Sequence, residues 1–149
     1  MQRRFNHAHH PFRPSLRLAL LHGLDRRISR ELFLRKAAVG ECYVAETSGV
    51  PAGLLRWNRF WDEVPFCTLL FIEASHRGLG LGRALVARWE DDMRALGHGM
   101  AMTSSQSDED AQDFWRLLDY RDAGSFDIDV PGYEQPTELI LLKDLREDA

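Results

Sequence analysis

Apolar and polar positions along the chain change period several times, and each change predicts an element. Leu81, Leu85, Trp89, Met93 and Leu96 recur every three to four residues, which makes one face of a helix. Directly before them, residues 66–72 are nearly all apolar, as a strand covered on both faces must be. A Leu-rich stretch over 16–24 predicts an earlier helix, stopped by Gly23 and Asp25. Ser29 suits the N-cap of a second helix running to about Val39, where Gly40 ends it. Strands are predicted over 41–46 and 52–60 with a turn through 47–51 between them. After Gly97 closes the long helix, 99–104 reads as a further strand. Ser107 then caps a helix over 108–118, whose early Asp108, Glu109 and Asp110 suit the positive end of its dipole, Asp110 at the capping-box position. Two last strands, 123–128 and 139–143, are joined by a loop through Pro131 and Pro136. Residues 1–12 carry little pattern and make a poorly ordered or edge-strand segment. The whole predicts one α/β domain over 1–149, with no repeat or linker.

Composition narrows the function classes. At 149 residues the chain has the size of one domain with one sufficient core, so it does not need disulfides. Its two cysteines, Cys42 and Cys67, lie in no CxxC and beside no ligand-spaced histidines, which gives no support to a metal or redox site. A reduced, cytoplasmic protein is expected. The basic start is followed by no signal-like apolar region, and no run approaches membrane-spanning length. A net charge of −4 argues against a domain that neutralises nucleic-acid phosphates. His7, His9 and His10 lack acidic or thiol partners and read as a tail rather than a metal tract.

The chemistry lies between the apolar strand and the long helix, at Arg77-Gly78-Leu79-Gly80-Leu81-Gly82. A strand, a glycine-rich turn and a helix N-terminus together make an anion site. Unpaired N–H groups and the helix dipole face the ligand, and glycines let the backbone approach a diphosphate. Two familiar phosphate loops fail here. GxxxxGK[ST] needs Lys and then Ser or Thr after its last glycine, where this chain has Arg83 and Ala84. GxGxxG fails because the glycines fall at 78, 80 and 82 and no acidic residue stands about 20 positions on, at Met102. What is left is R-x-x-G-x-G, read as Arg77, Gly80 and Gly82.

That spacing resembles the pyrophosphate motif of the GNAT superfamily of acetyl-CoA-dependent N-acetyltransferases. The likeness extends to residues 25–29, 55–57 with 60–62, 102–108, Ala111 with Phe114, and 138–143, and covers about 13–145, looking like a small bacterial subgroup of unassigned substrate. It implies a GNAT fold: a mixed central sheet of about six to seven strands, about four flanking helices, and parallel strands 66–72 and 99–104 that splay apart. It also implies acetyl transfer from acetyl-CoA to a primary amine of a small molecule or peptide, by direct attack in a ternary complex. No nucleic acid, membrane or metal enters this scheme, and a homodimer is left open.

By the same resemblance, the main chain of Ile72 and Ala74 binds the pantetheine arm, and Arg77, Gly78, Leu79, Gly80, Leu81 and Gly82 hold the pyrophosphate. Phe71, Arg83, Ser104, Asp108, Ala111 and Phe114 complete the cofactor set. A main-chain N–H near Leu69 or Leu70 polarises the thioester carbonyl, the oxyanion role, with Leu70 as the assigned residue. The amine reacts only as a free base, so a proton acceptor is needed. Glu63, just before the central strand, is the first candidate, then Glu73, with Asp62 and His76 behind. Many GNAT enzymes serve the departing thiolate from a Tyr in a Phe-Tyr pair, which here reads Phe114-Trp115. The indole of Trp115 can donate a hydrogen bond but has no titratable proton, which leaves three explanations: Ser105 or water replaces the Tyr, the thiolate leaves unassisted, or activity is weak. The last gives the alternative function, an acyl-CoA-binding module with weak or lost catalysis. Cys67 on the apolar strand has no histidine near it in sequence and reads as core rather than as an acyl-enzyme nucleophile. Trp57, Phe60, Trp61 and Phe66 are expected to wall the acceptor pocket, in part as plain core.

Overall fold

The computed structural model describes residues 4–7 and 28–146. Seven strands, β1 (Arg4–His7), β2 (Cys42–Thr47), β3 (Val50–Phe60), β4 (Val64–Ile72), β5 (Met100–Gln106), β6 (Arg121–Phe126) and β7 (Glu138–Asp144), pair in the order β1-β2-β3-β4-β5-β7-β6. The helices are α1 (Arg30–Ala38), α2 (Leu81–Ala95) and α3 (Ala111–Leu117). β4 and β5 run parallel, while β1 with β2, β2 with β3, β5 with β7 and β6 with β7 are antiparallel, which makes the mixed sheet expected. Three α-helices occur among the described residues against about four expected, and the one expected over 16–24 lies outside them.

One compact unit takes the chain up to Asn58 together with 68–91. Ser29 caps α1 as expected, its hydroxyl accepting from the Leu32 N–H at 3.2 Å, an interaction typically worth about 1 kcal/mol. Phe33 of α1 packs with Cys42, Val44, Leu54 and Leu69 in a buried cluster. Leu81, Leu85 and Trp89 are all but fully buried along the apolar stripe of α2. Gly53 of β3 makes this packing possible, since a Cβ there would sit 2.6 Å from a methyl of Ile72 and 3.3 Å from one of Leu85. The β2–β3 turn is tighter than expected. Ser48 and Gly49 carry the positive φ angles, so Pro51 is already in β3, opposite Glu46, where a missing N–H is tolerable next to a register shift.

The other unit holds 59–67 and 92–149. Met93 continues the α2 stripe and is buried, but Leu96 lies past the helix end and is 63% exposed, a departure from the expected stripe. β5 pairs with β7 over seven residues, from Met100↔Asp144 to Gln106↔Glu138. Trp115, Tyr120 and Leu141 are buried, with the Trp115 and Tyr120 rings edge to face at 4.9 Å. β6 starts and ends two residues earlier than expected. Asp119 with φ 71° turns the chain sharply after α3, and the Tyr120 N–H donates to the Trp115 carbonyl, so the strand can begin at Arg121.

Candidate functional site

In the first unit the chain leaves β4 at Ile72, Glu73 donates its N–H to the Ala52 carbonyl at 2.8 Å, and a single 3-10 turn follows over Ala74–His76. The glycine turn comes next. Gly78 and Gly80 adopt φ of 76° and 78°, a region that a Cβ strongly disfavours, so these two positions call for glycine. Helix α2 begins at once, at Leu81, with no acidic side chain in its first turn to compete for an anion. Leu81 is buried and anchors the turn, whereas Leu79 faces outward at 48% exposure. Arg77 donates from Nε to the Ile72 carbonyl at 3.0 Å, with its guanidinium 6.0 Å from the Phe71 ring. Leu70, Phe71, Ile72 and Gly82 are half-buried, while Ala74 and Arg83 are exposed. A diphosphate fits this cradle of left-handed glycines and helix N–H groups.

The remaining expected residues lie in the second unit. Ser104 is half-buried on β5, and Asp108 and Ala111 are exposed. The predicted Ser107 cap is not used. Glu109 donates its N–H to the Gln106 carbonyl in a separate turn and α3 starts at Ala111, so Asp108 precedes the helix by three residues. Asp110 takes the cap position in an αR conformation with no side-chain cap bond. The side chain of Gln112 holds this turn instead, its Nε2 donating to the Ser107 carbonyl at 2.9 Å and to the Glu109 carbonyl at 3.0 Å. Phe114 is half-buried, and Trp115 is 3% exposed, its ring between those of Phe114 at 5.4 Å and Tyr120.

Glu63 is exposed and lines a cleft of about 360 Å³ with Pro65, His98, Met100 and Arg146. Sequence reasoning missed His98 and Arg59, which meet across 39 residues at 2.8 Å between Nη1 and Nε2. The guanidinium makes Nε2 the acceptor, which leaves the ring proton on Nδ1. Burial chiefly, and then Arg59, push the His98 imidazole below its usual pKa, while Glu63 pulls the other way. The only sequence signal was a His between the two glycines 97 and 99 at a strand start. Arg146 is held by Asp144 at 2.8 Å, and these contacts keep the Asp144 carboxyl down at about 2. Of the four aromatics, Trp57 is core at 5% exposure, whereas Trp61 stands 78% exposed at the β3–β4 turn, where it and Asp62 both have φ of 56°.

A sequence model described as the Acetyltransferase (GNAT) family matches residues 6–120. The chain belongs to the GNAT family. Acetyl-CoA is accordingly its co-substrate. No curated protein matches the sequence. The fold is similar to that of the ribosomal-protein-S18-alanine N-acetyltransferase from Escherichia coli, with a TM-score of 0.75 and 13% identity over 97% of this chain and 94% of that one. It is also similar to Arabidopsis thaliana Naa50 in complex with the bisubstrate analogue CoA-Ac-MVNAL, with a TM-score of 0.75 and 16% identity over 97% and 99%. An N-acetyltransferase from Staphylococcus aureus Mu50 gives a TM-score of 0.75 and 14% identity over the same shares, 97% and 99%. At these identities the likeness is one of fold. Among the described residues of this GNAT chain, no helix is long and apolar enough to cross a membrane.

Proposed function

We propose that this GNAT enzyme acetylates a primary amine of a small molecule or peptide by direct attack on acetyl-CoA in a ternary complex. The observation that carries the reading is the turn 77–82, with left-handed Gly78 and Gly80 opening a helix whose first turn is free of acids. Arg77, Gly78, Leu79, Gly80, Leu81 and Gly82 hold the pyrophosphate, and the main chain of Ile72 and Ala74 takes the amide arm like an added strand. Phe71, Arg83, Ser104, Asp108, Ala111 and Phe114 complete this proposed set. The co-substrate supplies an acetyl thioester. The amine nitrogen forms a C–N bond to its carbonyl carbon as the C–S bond breaks, and the Leu70 main-chain N–H steadies the oxygen charge between.

Free amine is scarce at neutral pH, since an alkylamine has a pKa of about 10. Glu63 is our candidate proton acceptor, and its cleft with His98 supplies a second polar group beside it. Glu73 is the alternative, exposed at the end of β4 near the proposed arm contacts. The ribosomal-protein alanine in the name of one structural neighbour favours a peptide or protein amine. Buried Cys42 and Cys67 form no disulfide, which agrees with a reduced, cytoplasmic setting.

One observation favours the second reading, an acyl-CoA-binding module with weak catalysis. Trp115 takes the place of a phenol and is 3% exposed in the core, so it offers the leaving thiolate no titratable proton. Thiol release from acetyl-CoA with a panel of peptide and small-molecule amines separates the two. Turnover with any amine supports the enzyme, whereas tight CoA binding with no turnover across the panel supports the module.

A further inference from the structure

Thr103 of β5 is 1% exposed, an uncommon place for a hydroxyl unless it does a job that valine cannot. Its Oγ1 donates to the carbonyl oxygen of Cys67 on β4 at 3.0 Å. The same two residues are partners in the parallel ladder, which consists of Phe66↔Met102 and Cys67↔Thr103 although β5 itself runs on to Gln106. Within a parallel ladder, evenly spaced main-chain N–H groups of one strand meet the carbonyls of the other. At this last rung a side chain brings a donor to the carbonyl. Threonine has the shape of valine and the β-branched habit of strand residues, so the hydroxyl is the one feature that apolar packing does not account for.

The bond also fixes register. Side chains alternate between the two faces of a sheet, so a slip of one residue would turn the Thr103 hydroxyl to the opposite face and forfeit the contact. A ladder pinned at this rung has a defined end.

We propose that Thr103 is a positioning residue for acyl transfer. By holding the Cys67 carbonyl, its hydroxyl sets the rung at which the β4–β5 ladder stops, and so keeps the main-chain groups of β4 beyond Cys67 for the cofactor's amide arm. This deepens the cofactor reading above and stands on it. Thr103 lies outside the proposed phosphate turn, and its hydroxyl bonds the Cys67 carbonyl. Its effect belongs in the affinity for CoA, not in the use of the acceptor.

The test compares Thr103→Val, which keeps the shape without the donor, with Thr103→Ser, which keeps the donor, in the full chain. Calorimetry with CoA, the KM values of acetyl-CoA and acceptor, and the melting temperature are the readouts. Thr103→Val should weaken CoA binding and raise the acetyl-CoA KM about tenfold, as expected for one lost hydrogen bond, with the acceptor KM level and Thr103→Ser close to wild type. Equal CoA affinity in wild type and Thr103→Val overturns the proposal, even if the melting temperature drops, because the hydroxyl then serves stability alone. Should Thr103→Val fail to fold, Thr103→Ala takes its place and must show the same loss with the same rescue by serine. A wild-type chain that binds no CoA would instead bring down the cofactor reading itself, and this proposal with it.

Discussion

The Nε of Arg77 donates to the carbonyl oxygen of Ile72 at 3.0 Å, so the first residue of the glycine turn is tied to the last residue of β4. The four residues between them, Glu73 and the single 3-10 turn Ala74–His76, are closed by that bond. The turn thus has a fixed entry from Arg77 and a fixed exit into α2, with Leu81 buried as its anchor. A cradle organised in this way loses less freedom on binding.

Gly80→Asp should therefore weaken CoA binding at least tenfold, about 1.4 kcal/mol, because it sets a Cβ at φ 78° and a carboxylate against the phosphates. Isothermal calorimetry on both proteins checks this. Equal affinities would move the phosphates elsewhere. Saturating CoA should also raise the melting temperature of wild type by mass action, and do so less for the variant.

Glu63→Gln keeps the shape of the side chain and removes the proton acceptor. Turnover should fall roughly 10²-fold with CoA affinity unchanged, and the acid limb of the pH–rate profile should move. If the profile stays as it was and Glu73→Gln changes it instead, the role passes to the residue at the far end of β4.

Trp115→Tyr introduces a phenol that can donate and titrate. With the indole buried between Phe114 and Tyr120, the smaller ring should leave a void and cost about 1 kcal/mol or more in stability. Paired turnover and melting measurements give the answer. A gain in turnover at any loss of stability means that the missing phenol limited proton delivery, whereas a loss of both assigns Trp115 to packing.

His98 makes stability depend on pH. Burial and Arg59 lower its folded pKa below the 6.5 of the unfolded chain, so the unfolded state takes up the proton first as pH falls. The stabilisation is complete above the unfolded value and is lost as pH drops toward the folded one. His98→Gln retains an acceptor for Arg59 and cannot titrate, so its melting temperature should fall less than that of wild type between about pH 7.5 and about pH 5. Identical slopes would show that another group governs the acid response. Glu63→Gln should lower the His98 pKa further, visible by NMR titration, because Glu63 is the group that raises it.

Local patterns carried much of this protein in the sequence itself. The period of Leu81, Leu85, Trp89 and Met93 announced α2, the nearly all-apolar run announced β4, and Ser29 announced the start of α1, because such patterns are short-range effects. Strand β4 is not covered on both faces as expected, however: Pro65, Cys67 and Leu69 are buried and Thr68 is exposed. The glycine turn was legible for the same reason, since only glycine takes the positive φ of positions 78 and 80 without cost. The tertiary structure decided what depends on distant neighbours. It put Trp115 against Tyr120 in the core, left Leu96 and Trp61 in solvent, and moved the start of α3 to Ala111. It also joined Arg59 to His98 and the Thr103 hydroxyl to the Cys67 carbonyl, pairs 39 and 36 residues apart. No window of sequence holds both partners of such a pair, and the hydrogen bond between them exists only once strand pairing has fixed where each side chain ends.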